Sequence, residues 1–185
     1  MREGVRRSAI AGSLVGLCLF VTVGCGGSST QSNTLRGTAT FPELVGGGPV
    51  ANSRFVVLDL NQSGAPVVAQ GVSDAFGNWA VPEATGLSIA VVFQASDDSQ
   101  RVRVSGLSTP RETGSEKSLT GQTDIACEAG VSAVLQGFIA GSQVDKNLIL
   151  RLEAAAELFM NTVNYRDPAA VTAAALEVRR RVLGR

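Results

Sequence analysis

Ser73-Asp74-Ala75-Phe76-Gly77-Asn78-Trp79-Ala80-Val81-Pro82 joins a turn directly to a strand. The Asp74 carboxylate can accept bonds from the backbone N–H groups just ahead of it, and Gly77 is free to adopt a positive φ. The strand that follows, Asn78 to Val81, then turns Trp79 into a core. Trp79 is the single tryptophan of the chain. A sugar-stacking platform is the competing role, but glycan modules usually present two or more aromatics, and the single tyrosine, Tyr165, lies far along the chain. With Val67 to Val72 ahead of it, the turn reads as a hairpin.

The same grammar extends in both directions. Leu35 to Phe41 alternates in strand fashion, and Gly46-Gly47-Gly48-Pro49 breaks it. Ser53 to Leu60 holds Phe55, Val56, Val57 and Leu58, a β-rich run without helical period. Ser88 to Gln94 and Arg101 to Ser105 bring the total to six or seven strands at roughly 8–16-residue intervals. Such spacing predicts an antiparallel sandwich over 35–108.

Gly37-Thr38-Ala39-Thr40, then Gly47-Gly48-Pro49-Val50-Ala51-Asn52-Ser53-Arg54-Phe55, then the stretch from Ser73 to Pro82 resemble the carboxypeptidase regulatory-like domain, a transthyretin-like sandwich of seven strands. Asp74, Gly77, Trp79, Val81 and Pro82 match that family's turn element. Gly48-Pro49-Val50-Ala51-Asn52 matches an earlier one, without the spacer residue before Pro49. The resemblance implies a fold and a structural role for Asp74, Gly77, Trp79 and Pro82. It implies no activity, because such domains are non-catalytic appendages on many unrelated proteins.

Residues 109–122 are polar, with Pro110 and Gly114, and read as a linker. Beyond it the period changes. Cys127, Val131, Val134, Leu135 and Phe138 share one helical face, with Gly141 ending the helix. Asp145 is a candidate N-cap for a second helix with a stripe of Leu148, Leu152, Ala155, Phe159 and Val163. Asp167-Pro168 starts a third, lined by Val171, Ala175, Val178 and Val182. Residues 123–185 are therefore expected to form about three helices, packed as a small bundle on the sheet. The whole is an α+β protein.

At the other end, Arg2, Arg6 and Arg7 precede an apolar run from Ala9 to Val23, about fifteen residues long. As a helix it spans about 22 Å, short of the ~30 Å hydrocarbon core of a bilayer. Thr22-Val23-Gly24-Cys25 closes the run and resembles a bacterial lipoprotein signal, with Thr22 where leucine is usual. The resemblance implies that 1–24 is a signal peptide cleaved after Gly24 and that Cys25 carries diacylglycerol, usually with a further acyl chain such as palmitate. Membrane lipid is then the expected partner. Two or more chains anchor stably, at ~0.8 kcal/mol per buried methylene. Residues 25–34 follow as lipidated cysteine and flexible tether. Gly26 after the anchor favours the outer membrane or cell surface.

Composition narrows the chemistry. The chain has no histidine, which removes Ser-His-Asp and Cys-His mechanisms and His-containing zinc sites. Of 16 basic and 16 acidic residues, Arg2, Arg6, Arg7 and Glu3 leave with the leader, so the mature charge is near −2 and no nucleic-acid partner is expected. Cys18 is also lost and Cys25 is acylated, which leaves Cys127 without a disulfide partner and reads as inert core. Asp97 and Asp98 beside Ser99 read as a solvated turn rather than a Ca²⁺ site, and with Glu83 they make no identifiable catalytic pair. Arg179-Arg180-Arg181 reads as a helix end complementing the dipole rather than a lipid patch. Neither Lys117 nor Lys146 lies within 35–108, which removes an isopeptide crosslink there. The expectation is a lipid-anchored, non-catalytic envelope protein without cofactor or metal, its partner another envelope protein or, alternatively, a glycan.

Overall fold

The computed structural model describes residues 34–81, 89–94, 102–109 and 116–185, with 89–94 as backbone alone. Gly24, Cys25, Pro82, Glu83, Asp97, Asp98 and Ser99 lie outside the described residues. Those described belong to a compact unit, Gln31–Arg185.

In chain order the strands are β1 (Leu35–Ala39), β2 (Arg54–Asp59), β3 (Val67–Val72), β4 (Asn78–Val81), β5 (Ile89–Gln94), β6 (Arg103–Ser108) and β7 (Glu116–Leu119). The helices are α1 (Gly121–Leu135), α2 (Lys146–Ala156) and α3 (Pro168–Leu183). The protein is α+β. One sheet runs β4-β1-β7 and the other β3-β2-β5-β6. Alternation along the strands sends one face of each sheet inward. Leu35, Ala39, Trp79, Val81 and Leu119 of the first sheet meet Phe55, Val57 and Val104 of the second in a shared core. Burying each large apolar side chain there is worth about 1.5–3 kcal/mol. Trp79 stands edge-on to Phe55, with ring centroids 6.3 Å apart.

The structure departs from the sequence reading in four places. First, 109–122 is not wholly linker, because Glu116–Leu119 forms β7 and pairs with β1 in parallel, while the other strand pairs are antiparallel. Four residues carrying two charges give a weak strand signal, and only Leu119 is buried. This also places Lys117 in a sheet, so its exclusion by position fails; its ammonium pairs with Glu153 of α2 at 3.3 Å.

Second, β3 and β4 flank the Asp74 turn yet do not pair. β3 stays on β2, and β4 joins β1 across the core. The corner is pinned from both sides. Ser73 N–H donates to the Ser53 carbonyl (2.9 Å), and Ala39 N–H donates to the Gly77 carbonyl (2.9 Å).

Third, α1 is buried on more than one face. Ile125, Ala126, Cys127, Ala129, Gly130 and Ala133 are all covered, whereas Leu135 is 56% exposed. Small residues let β6, α2 and α3 all close on it. The helix stops at Gly137, not Gly141: Gly137 takes φ 71°, and Phe138 N–H reaches back to the Ala133 carbonyl at 2.9 Å.

Fourth, α2 ends at Ala156, where Phe159 N–H turns back to the Ala156 carbonyl (2.9 Å), so Phe159 and Val163 of the expected stripe lie beyond the helix. Asp145 accepts the Leu148 N–H (2.8 Å) and Asp167 accepts the Ala169 N–H (2.9 Å), each cap worth about 1 kcal/mol. Leu148, Leu152, Val163, Val171, Ala175 and Val178 are buried in a second core with Leu107 of β6 and Leu60. The bundle therefore sits on the β6 side of the four-stranded sheet.

A Cβ on Gly37 would run into the backbone of Lys117, the residue opposite it in the β1–β7 register. Gly37→Ala is expected to force those strands apart and to lower stability by about 1–3 kcal/mol, the usual cost of overpacking. Urea unfolding followed through Trp79 emission measures it, and an unchanged midpoint would show that β7 is not held against β1.

Candidate functional site

The Asp74 turn is built as its residues require. The carboxylate accepts N–H bonds from Phe76 (2.8 Å) and Asn78 (2.9 Å) and a further bond from the Asn78 amide nitrogen (2.7 Å). These bonds, led by that of the Asn78 side chain, hold the Asp74 carboxyl below its ordinary pKa. Gly77 takes φ 76°. The Asp74 carboxylate is spent on bonds within the turn, and its carbonyl accepts the Asn52 N–H (3.1 Å), which makes it an architectural element. Trp79 is 3% exposed and presents no stacking face.

A denser polar cluster lies where β6 meets α1. Strand alternation turns Arg103 and Ser105 toward the helix, and the i, i+4 spacing of Asp124 and Glu128 turns both carboxylates toward the strand. Arg103 Nε donates to Asp124 Oδ1 (3.2 Å), and its terminal nitrogen donates to Glu128 Oε2 (2.6 Å). Ser105 Oγ donates to Asp124 Oδ1 (2.5 Å), while Thr123 Oγ1 donates to the Ser105 carbonyl (2.7 Å). Asp124 is almost wholly buried. That burial lifts its carboxyl to about 6, against the opposing pull of Arg103 and Ser105. Burial also works against the Arg103 cation, but Asp124 and Glu128 outweigh it and hold its proton more tightly than usual.

Beside the pair lies a cavity of about 190 Å³ walled by Arg103, Asp124, Tyr165, Pro168, Val171 and Thr172. Tyr165 is buried and donates to the Met160 carbonyl (3.1 Å). Burial raises its phenol pKa, with Asp124 adding to the effect. Sequence reasoning did not find this cluster. Its one local sign is the carboxylate pair at 124 and 128, and their cation stands 21 positions upstream of Asp124.

The remaining candidates are dispersed. Cys127 is buried, and desolvation pushes its thiol up to about 12, so the inert-core reading fits. Arg179 is only 8% exposed. It donates to Gln136 Oε1 at the end of α1 (2.8 Å) and lies 4.5 Å from the Phe138 ring centroid. Arg180 and Arg181 share Glu177, at 2.6 and 2.8 Å. The arginine run is thus divided between core and surface. Among the described residues, no three His, Cys, Asp or Glu side chains gather as metal ligands, and no helix is long and apolar enough to cross a membrane.

Chemically, the β6–α1 cluster is a brace. Its cation spans two carboxylates, and the potential nucleophiles Ser105 of β6 and Cys127 of α1 are both buried. Comparisons of the chain with protein-family models, curated proteins and solved structures return no match.

Two outcomes test the brace. The Asp124 pKa rises on folding from an ordinary 3.8 to about 6, so between these values the folded state binds more protons than the unfolded chain. The penalty for ionised Asp124 is therefore present above about pH 6 and shed as pH falls toward 4. Wild type should gain on the order of 2 kcal/mol relative to Asp124→Asn across that window. A difference independent of pH in paired urea titrations would refute the assignment. Arg103→Met should cost up to about 3 kcal/mol, less than a wholly buried pair because 41% of the Arg103 side chain is exposed. Adding Asp124→Asn should recover part of it. Strict additivity in the double-mutant cycle would show that the two residues do not interact.

Proposed function

We propose that this is a lipid-anchored, non-catalytic protein of the bacterial cell envelope. In this reading its paired sheets form a carboxypeptidase regulatory-like, transthyretin-like module that serves a structural or protein-binding role. The observation that carries the anchor is Val23-Gly24-Cys25 closing an uncharged apolar run behind Arg6 and Arg7. The module reading is supported by the Asp74 turn, the inward Trp79 and the two small sheets with a common core. The non-catalytic reading draws support from a polar cluster whose charges are engaged with each other. Glycan binding through Trp79 loses its footing, because the indole lies in the core.

Acylation gives the direct test. Cells fed labelled palmitate should incorporate it into the wild-type chain and not into Cys25→Ser, and inhibiting the lipoprotein signal peptidase should accumulate the uncleaved precursor. A wild-type mature chain that carries no label would remove the anchor. Turnover of any substrate by purified protein would remove the non-catalytic reading.

A further inference from the structure

The brace answers the Asp124 charge on one side only. The bonds from Arg103 and Ser105 both fall on Oδ1, and Oδ2 accepts none from the described residues. The Asp124 side chain is only 1% exposed, yet it forms part of the wall of the cavity of about 190 Å³ beside α3. A carboxylate taken out of water needs partners for both oxygens. Among the described residues Arg103 is the one cation paired with it, and Arg103 is shared with Glu128, so the three charged groups sum to −1. Burial still lifts the Asp124 carboxyl to about 6 with Arg103 in place, as it does for a charge that is incompletely compensated. The opposite walls are of another character. Pro168, Val171 and Tyr165 line them largely with carbon, and Thr172 stands at the exposed end. The start of α3 offers an anion little, because Pro168 has no N–H and Asp167 holds that of Ala169. At ~30 Å³ for each non-hydrogen atom, the volume suits a molecule of about six such atoms.

We propose that this cavity binds a small primary ammonium carrying a short alkyl body. The ammonium donates to Asp124 Oδ2 and brings the local charge to zero, while the alkyl part lies against Pro168, Val171 and Tyr165. Arg103 keeps both of its carboxylates, so the brace stays closed with the ligand in place. A carboxylate of the same size would meet Asp124 as a like charge, and an alcohol would leave the net charge standing. The proposal adds a ligand to the non-catalytic reading and does not depend on the acyl anchor.

The probe is n-butylammonium, added to the full chain in detergent at about pH 8, where Asp124 is ionised. Butyrate and 1-butanol are the comparison compounds, and detergent alone gives the background. Saturation-transfer NMR should show saturable binding of the ammonium with a Kd on the order of 1 mM, and binding of the other two weaker by about tenfold or more. Asp124→Asn keeps the shape and removes the charge, and should weaken the ammonium by about tenfold. Thr172→Phe fills the exposed end of the cavity from a surface position outside the brace and should do the same. Unchanged Trp79 emission reports an intact fold in each variant; where Asp124→Asn alters it, Thr172→Phe alone decides. Ammonium binding retained in Thr172→Phe, or in a folded Asp124→Asn, overturns the proposal. So do equal binding of butanol, tighter binding of butyrate, and no saturable binding of the ammonium.

Discussion

Strand β6 is covered on both faces, and the rest of the molecule is arranged around that constraint. Val104 enters the core between the sheets, while Arg103, Ser105 and Leu107 face α1. A strand closed off from water in this way needs partners for its polar groups as well as for its apolar ones. Asp124 and Thr123 supply them at Ser105, and Arg103 ties the strand edge to two turns of the helix. Leu107 meanwhile packs in the second core beside Ile125, Ala129 and Leu152. The seam is thus polar at its entrance and dry further along.

Because β7 runs almost directly into α1, the same seam also orders the chain connection. Thr120 N–H is taken by the Thr123 hydroxyl (2.8 Å), which starts the helix while the strand is still paired to β1. The helical layer therefore closes one side of the paired sheets, with α2 and α3 packed chiefly on α1 and α2 also reaching β6 and Lys117 of β7. The β3 side has no such cover among the described residues. The polar groups of Arg103, Asp124 and Glu128 lie on the covered side and are engaged with one another.

Much of this is legible in single residues. Asp74 and Gly77 announce their turn because the bonds of the Asp74 carboxylate reach no further than Asn78, and Asp145 and Asp167-Pro168 announce their helices because capping is a matter of two or three neighbouring N–H groups. Trp79 reads as core from its place just after the turn. What escaped notice depends on distant partners. β7 is a strand because β1 offers it an edge, not because Glu-Lys-Ser-Leu favours extension. The Asp74 turn looks like a hairpin because a tight turn usually makes one, whereas hydrogen bonds to Ser53 and Ala39 commit its two arms to different sheets. α1 has several covered faces because three elements surround it, so a single apolar stripe could not describe it.

By itself, then, the chain determined the Asp74 turn, the helix starts at Asp145 and Asp167, the α+β class, and the stripe residues Leu148, Leu152, Val171, Ala175 and Val178, since each depends on bonds or periodicities spanning a few positions. Tertiary structure alone decided which strands pair, that Arg179 lies inside while its neighbours lie outside, and that Arg103 meets Asp124 and Glu128. Those outcomes arise from desolvation and charge pairing between segments that become neighbours only once the sheets have closed and α1 has settled on β6.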